Sequence, residues 1–322
     1  INRDVTSYSN EGGWVDCDKV RFRLGYPEVI GGWEKYSQNT YIGTARGLFN
    51  WVALDGSDFL GVGTESKYYI EQGQAFNDIT PIRATTTNGI TFAATDGSSV
   101  ITATDSSHGA VQGDFVTLSG AVSLGGLITA AVLNQEYQIA SVPNLNSYTF
   151  VAKDTTGATV TANASDSGNG GAGVDGAYQI NAGLNTGVGG NGWGAGTWGR
   201  GTWGSGAAIS VTTSLRVRSQ DNFGEDLLIN ARDGSIFYWD KSDGVAARAV
   251  EIGTVSGADE TPVVAKQIMV SDVDRHVIAF GTNPVGSTTQ DPLLIRFSDQ
   301  ESLTDWNPKA TNTAGDLRIG SG

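Results

Sequence analysis

Phe59-Leu60-Gly61-Val62-Gly63-Thr64 followed by Lys67-Tyr68-Tyr69-Ile70-Glu71 is the stretch whose reading decides the fold. The pattern returns as Leu228-Ile229-Asn230-Ala231-Arg232-Asp233 and Ile236-Phe237-Tyr238-Trp239-Asp240, and the two blocks align without a gap. In each, an apolar strand meets a short polar turn, and an aromatic-rich strand then ends on an acid. Asp233-Gly234 reads as a type I′ hairpin turn, in which both central residues take positive φ. A looser third copy runs from Val277-Ile278-Ala279-Phe280-Gly281-Thr282 through a loop with Pro284 and Gly286 to Leu293-Leu294-Ile295-Arg296-Phe297-Ser298-Asp299. Short strands that are apolar at nearly every position point to sheets covered on both faces. The expected class is all-β, with the hairpins stacked as blades of a β-propeller. A β-sandwich with similar hairpins is the competing arrangement.

The surrounding composition agrees with an all-β chain. Its 322 residues (33.6 kDa) suffice for two modest domains or one large all-β domain. Charged residues make up only 17% and glycine fills 45 positions, which excludes a coiled coil or long-helix protein. No run reaches the roughly 18 apolar residues of a transmembrane helix, so no membrane span is expected. No signal peptide is visible, and the start at Ile1 instead of Met leads us to expect residues before it. The single Cys17 excludes an internal disulfide, and two histidines with one cysteine leave too few ligands for a structural zinc. Twenty basic against 34 acidic residues give a net charge of −14. A protein that grips DNA phosphates needs the opposite balance.

Four segments can be marked out along the chain. Residues 1–83 hold N-terminal strands and the first blade. Val20-Arg21-Phe22-Arg23-Leu24 alternates with period two, as a strand does, and Gly25-Tyr26-Pro27 closes it. Its basic run, Lys19, Arg21 and Arg23, is matched by Asp16, Asp18 and Glu28, and we read it as a subunit or blade contact. Residues 84–176 contain neither Trp nor Arg and are rich in Thr, Ser, Ala, Val and Gly. Strands are predicted there at Ser99–Thr104, Asp114–Leu118, Glu136–Ala140 and Ser147–Ala152. This segment reads as a small inserted β-barrel or sandwich domain. Its seven acids, Asp96, Asp105, Asp114, Glu136, Asp154, Asp166 and Asp175, stand against Lys153 alone. Residues 177–206 form a Gly/Trp-rich loop with three copies of a five-residue unit that place Trp193, Trp198 and Trp203 in register. Three exposed indoles would form an apolar interface patch, while covering a sheet edge is the plainer role. Residues 207–322 carry further blades.

Catalytic constellations are missing, and the expectation is a non-enzyme without cofactor. His108 lies near Asp105, and His276 lies beside Asp274 and Arg275, but a loop histidine near an acid is usually a solvated polar residue. Neither G-x-S-x-G nor a Walker-type loop occurs, and Gly187-Val188-Gly189-Gly190-Asn191-Gly192 lacks a strand-then-helix setting. Asp221-Asn222-Phe223-Gly224-Glu225-Asp226 and Asp272-Val273-Asp274 have oxygen ligands for calcium without the full loop spacing. The acidic neighbours Asp16 and Asp18 would raise the pKa of Cys17 and not activate it.

Several stretches resemble a known family. They are Asn2-Arg3-Asp4, Tyr8–Arg23 with its Asn10-Glu11-Gly12-Gly13-Trp14, Gly31-Gly32-Trp33, Ala45–Trp51, Gly61-Val62-Gly63-Thr64 and Phe297–Trp306. They look like the tail hub or nozzle of short-tailed bacteriophages, also called packaged-DNA stabilisation or tail tubular protein B. The likeness covers roughly residues 1–83 and 207–322 and not the insert. It implies a propeller-based virion protein in the phage tail, forming a six-fold homo-oligomeric ring. DNA would pass its lumen without tight binding, and its outside would meet the tail adaptor on the portal side and the fibres or spikes. Three blade-like units fall short of the four to eight that close a propeller, so the propeller is expected to be incomplete within this chain. The alternative is a secreted carbohydrate-binding or adhesion β-protein in which Trp193, Trp198 and Trp203 stack on sugars.

Overall fold

The computed structural model describes residues 17–32, 34–181 and 217–320. The chain divides into two compact units, Ile1–Asn39 and Thr40–Gly322. The described part of the first is a two-stranded antiparallel ribbon, β1 (Val20–Arg23) with β2 (Tyr26–Val29). Pro27 sits inside β2 and does not end it, because a two-stranded ribbon consists of edges alone and can spare a donor. Arg21 pairs with Glu28 across the ribbon at 3.0 Å.

The second unit is all-β, with one short helix, α1 (Ala130–Leu133), among its described residues. Three of its sheets are four-stranded antiparallel meanders. The first runs β3 (Ala45–Val52), β4 (Asp58–Thr64), β5 (Tyr68–Gln72), β6 (Ala75–Asp78). Two further sheets are built from the intervening strands β7 to β15 and are described below. The second meander runs β16 (Arg218–Phe223), β17 (Asp226–Ala231), β18 (Ile236–Trp239), β19 (Val250–Glu251). The third runs β20 (Gln267–Val270), β21 (Val277–Phe280), β22 (Leu294–Phe297), β23 (Gly315–Arg318).

The three meanders pack face to face in series and do not close into a ring. Trp51, Phe59, Tyr68 and Ile70 of the first meet Leu227, Ile229, Phe237 and Trp239 of the second in one core. Leu228 and Ile236, on the opposite face of the second sheet, meet Ile268, Val270, Val277 and Ala279 of the third in another. Burial on both sides explains why Leu227-Leu228-Ile229 is apolar without alternation. All three side chains are fully buried.

The two hairpins read from sequence occupy the same place, strands two and three of their sheets, but not in the same register. Leu60 faces Glu71 in the first, whereas Ile229, its aligned counterpart, faces Phe237 and not Asp240. The two-residue loop Glu65-Ser66 is replaced by the three-residue loop Arg232-Asp233-Gly234. The aromatic strands keep their faces, with Tyr68 and Ile70 matching Phe237 and Trp239 in the same core. The preceding strand flips, so Phe59 enters that core and its aligned Leu228 enters the next. The expected type I′ turn is corrected too. Asp233 alone has positive φ, 60°, and the Gly234 N–H donates to the Ala231 carbonyl at 2.8 Å.

Between the first and second meanders, two sheets enclose a core of their own. One is ordered β11 (Glu136–Gln138), β10 (Phe115–Ser119), β15 (Asp175–Gln179), β7 (Ile82–Thr86). The other is β12 (Ser141–Asn144), β13 (Ser147–Val151), β9 (Val100–Thr104), β8 (Thr91–Ala94), β14 (Asp166–Asn169). Val116, Leu118, Tyr137 and Tyr178 from the first pack on Phe92, Ile101, Tyr148 and Phe150 from the second. The borders drawn at 84 and 176 fall inside β7 and β15, which pair with each other. The neck of the segment lies at Pro81 and Ile180, where the Ile180 N–H donates to the Pro81 carbonyl at 3.0 Å. Composition changes at Arg83, but hydrogen bonding continues to the end of the strand pair. Residues 177–179, assigned above to the Gly/Trp-rich loop, belong to β15.

Candidate interaction sites

The conserved-looking glycines of Gly61-Val62-Gly63-Thr64 make room at the seam between the first two meanders. β16 crosses the face of the first sheet, lying against β3 and β4. A Cβ on Gly63 would stand 2.6 Å from Cγ of Arg218. In that notch the Arg218 Nε donates to the Thr64 carbonyl at 2.8 Å, and the guanidinium lies 4.5 Å from the Tyr68 ring centre. Gln220 donates to the Gly47 carbonyl at 3.2 Å. The other face of β16 serves the next seam, where the Ser219 hydroxyl and the Asp221 carboxylate accept from the Ile268 and Val270 N–H groups at 3.2 and 2.7 Å. β16 thus lies against both β3 and β20, and the first strands of the three meanders are neighbours.

Phe297–Trp306 is a structural loop of the third meander. Trp306 is fully buried, its indole N–H donating to the Leu303 carbonyl at 2.8 Å. The buried Arg296 guanidinium is met by three carbonyls and no carboxylate: Glu260 at 2.5 Å, Trp306 at 3.0 Å and Asn283 at 3.2 Å. Burial lowers its pKa, against the pull of Glu260 and Asp316. Asp299 accepts from both the N–H and the hydroxyl of Thr313, at 2.8 and 2.7 Å, tying the loop to the approach to β23.

A charged junction joins the inserted sheets to the meanders. Lys67, 1% exposed, reaches Asp78 of β6 and Glu136 of β11, each at 2.6 Å. Its ammonium also lies 4.6 Å from the Phe115 ring centre. Arg248, from the loop before β19, approaches Asp78 at 3.2 Å and Glu136 at 3.7 Å, and Gln179 donates to Glu136 at 2.6 Å. Burial alone would raise the pKa of Asp78, but the charge and hydrogen bond of Lys67, the Thr80 hydroxyl and Arg248 outweigh it and hold the pKa below 3.8. Lys67 and Glu136 are 69 residues apart, and no sequence signal linked them.

Side chains that sequence reading weighed for catalysis are occupied structurally. Asp105 is buried and accepts from Thr86 at 2.8 Å and from the Tyr178 phenol at 2.5 Å. Burial, with Tyr148 and Asp105 nearby, raises the Tyr178 pKa and keeps it a donor. His108 is buried among Tyr148 and Tyr178, and its Nδ1 accepts from the Ala110 N–H at 3.1 Å. His276 Nδ1 lies 2.7 Å from the Ser298 carbonyl. Of the calcium candidates, Asp221 serves Val270 and Asp226 accepts from Tyr238 at 2.6 Å and from the Lys241 N–H at 2.9 Å. Among the described residues no three His, Cys, Asp or Glu side chains are grouped to hold a metal. No described helix is long and apolar enough to cross a membrane. Trp193, Trp198 and Trp203 lie outside the described residues.

No protein-family model matches the chain, and no curated protein does. Among solved structures it is similar to the phage phi92 endosialidase, at 11% identity and a TM-score of 0.24, over 91% of this chain and 40% of that one. The chain spans less than half of that protein's length, and at this score the likeness carries no argument about fold or activity.

Proposed function

We propose that the chain is a structural, non-enzymatic subunit of a short-tailed phage tail, a nozzle or hub that forms a ring around the path of the DNA. The observation that carries this reading is the use made of the resembling motifs. Gly61-Val62-Gly63-Thr64 seats Arg218 of the next meander, and Phe297–Trp306 closes around Arg296. These are joints between successive sheets, as a scaffold requires, and their polar atoms are engaged by backbone. The serial stack with neighbouring first strands is the start of a propeller, which further sheets of the same kind would close. A net charge of −14 suits a bore past which phosphates slide without being held.

Electron microscopy of the full-length protein tests this. The expected result is a six-fold ring with an axial opening about as wide as duplex DNA. Anisotropy titration at low salt, where attraction is least screened, should show weak duplex binding. Monomers throughout, or sub-micromolar binding with a steep salt slope, would refute the proposal.

A further inference from the structure

The ribbon β1–β2 presents apolar side chains outward to an unusual degree. Leu24 is 93% exposed, Tyr26 77%, Val29 75% and Ile30 51%. Arg23 pairs with Tyr26 across the end of the ribbon, leaving Leu24-Gly25 as a two-residue turn. Both turn residues have positive φ, 50° and 85°, the geometry of a type I′ turn. Such a turn favours Asn or Asp at its first position, because a short polar side chain tolerates the left-handed region and faces water. Leucine gains neither advantage. Backbone strain combined with full exposure of an apolar tip points from an outlier to a contact. An isolated two-stranded ribbon is also marginal in water, so it needs a surface to lie on.

Charge selects the partner. The ribbon and its flanks, residues 18–30, carry three basic and two acidic side chains, and Arg21 is already matched by Glu28. Residues 40–322 carry fifteen basic and twenty-eight acidic side chains. Lys19 and Arg23 flank the apolar tip and suit an acidic receiving surface, and the body of an identical subunit is such a surface. We infer that the β1–β2 ribbon is an intersubunit arm that docks Leu24 and Tyr26 on the body of a second copy of this chain. An arm-to-body contact is heterologous, so repeated around an axis it closes a ring. The inference rests on the ring proposed above and names the segment that holds neighbours together.

Leu24→Asn tests it in the full-length protein, since asparagine fits the turn better than leucine and leaves the ribbon foldable. Native mass spectrometry across a dilution series should show subunit association weakened at least tenfold, with an unchanged unfolding midpoint for the body. A photo-crosslinking amino acid in place of Leu24 should join two chains. Wild-type rings with unchanged association of the variant, or crosslinks confined to one chain, would overturn the arm and leave the ring standing. A wild-type protein that forms no assembly would overturn both.

Discussion

Replacing Lys67 by methionine should separate the inserted sheets from the meanders energetically. The substitution keeps the aliphatic stem and its packing on Phe115 but removes the ammonium that holds Asp78 and Glu136 at 2.6 Å each. Breaking one partner out of a buried ion pair typically destabilises by about 3–5 kcal/mol, because the remaining charge is stranded. Two features reduce that here. The carboxylate side chains are 22% and 27% exposed, and Arg248 remains beside both. We therefore expect about 2–3 kcal/mol at neutral pH, read by urea unfolding with the fluorescence of the buried Trp51, Trp239 and Trp306. The loss should shrink in acid. With Lys67 gone, two facing carboxylates take up protons more readily, and a protonated pair no longer needs the missing cation. A variant as stable as wild type at neutral pH, or a loss that persists undiminished near pH 4, would refute the account of this junction.

Wild-type stability should itself fall in acid. Because the folded-state pKa of Asp78 lies below its ordinary 3.8, its contribution is present above that value and is lost as pH falls through the folded value. A urea midpoint that is flat below pH 4 would contradict this. Gly63→Ala should destabilise by about 1–3 kcal/mol, since its Cβ would press on Arg218, and Arg218→Ala should relieve much of that loss in a double-mutant cycle. Gly234→Val should perturb its turn by pressing on the Ala231 carbonyl, which a Cβ would meet at 3.1 Å, and not through its φ; an unchanged midpoint would count against that contact. Removing residues 82–179 and joining Pro81 to Ile180 should leave a cooperatively unfolding remainder, because closing at an existing neck adds little chain entropy. Loss of the transition would show that the insert is needed for folding.

The all-β class was legible in Leu228–Asp240 and its relatives, because apolar strands broken by turn residues report burial on both faces whatever the partner. The strands of the insert were legible for the same local reason: predicted Ser147–Ala152 is β13, Ser147–Val151. The register of the hairpins was not. The two blocks align gaplessly, yet the Arg232-Asp233-Gly234 loop draws β18 three residues along β17, and only cross-strand hydrogen bonding and the Gly234–Ala265 bridge settle which loop forms. The limits of the insert escaped composition because β7 and β15 complete a sheet across the apparent border. The junction at Lys67 and the notch for Arg218 were invisible, since each unites residues 69 or more positions apart whose attraction depends on distance in space. Sequence by itself determined which segments become strands, through side-chain polarity and turn geometry. Tertiary structure alone decided which sheet faces meet and which charges are buried together, because those energies exist only once chain segments distant in sequence are packed within a few ångströms.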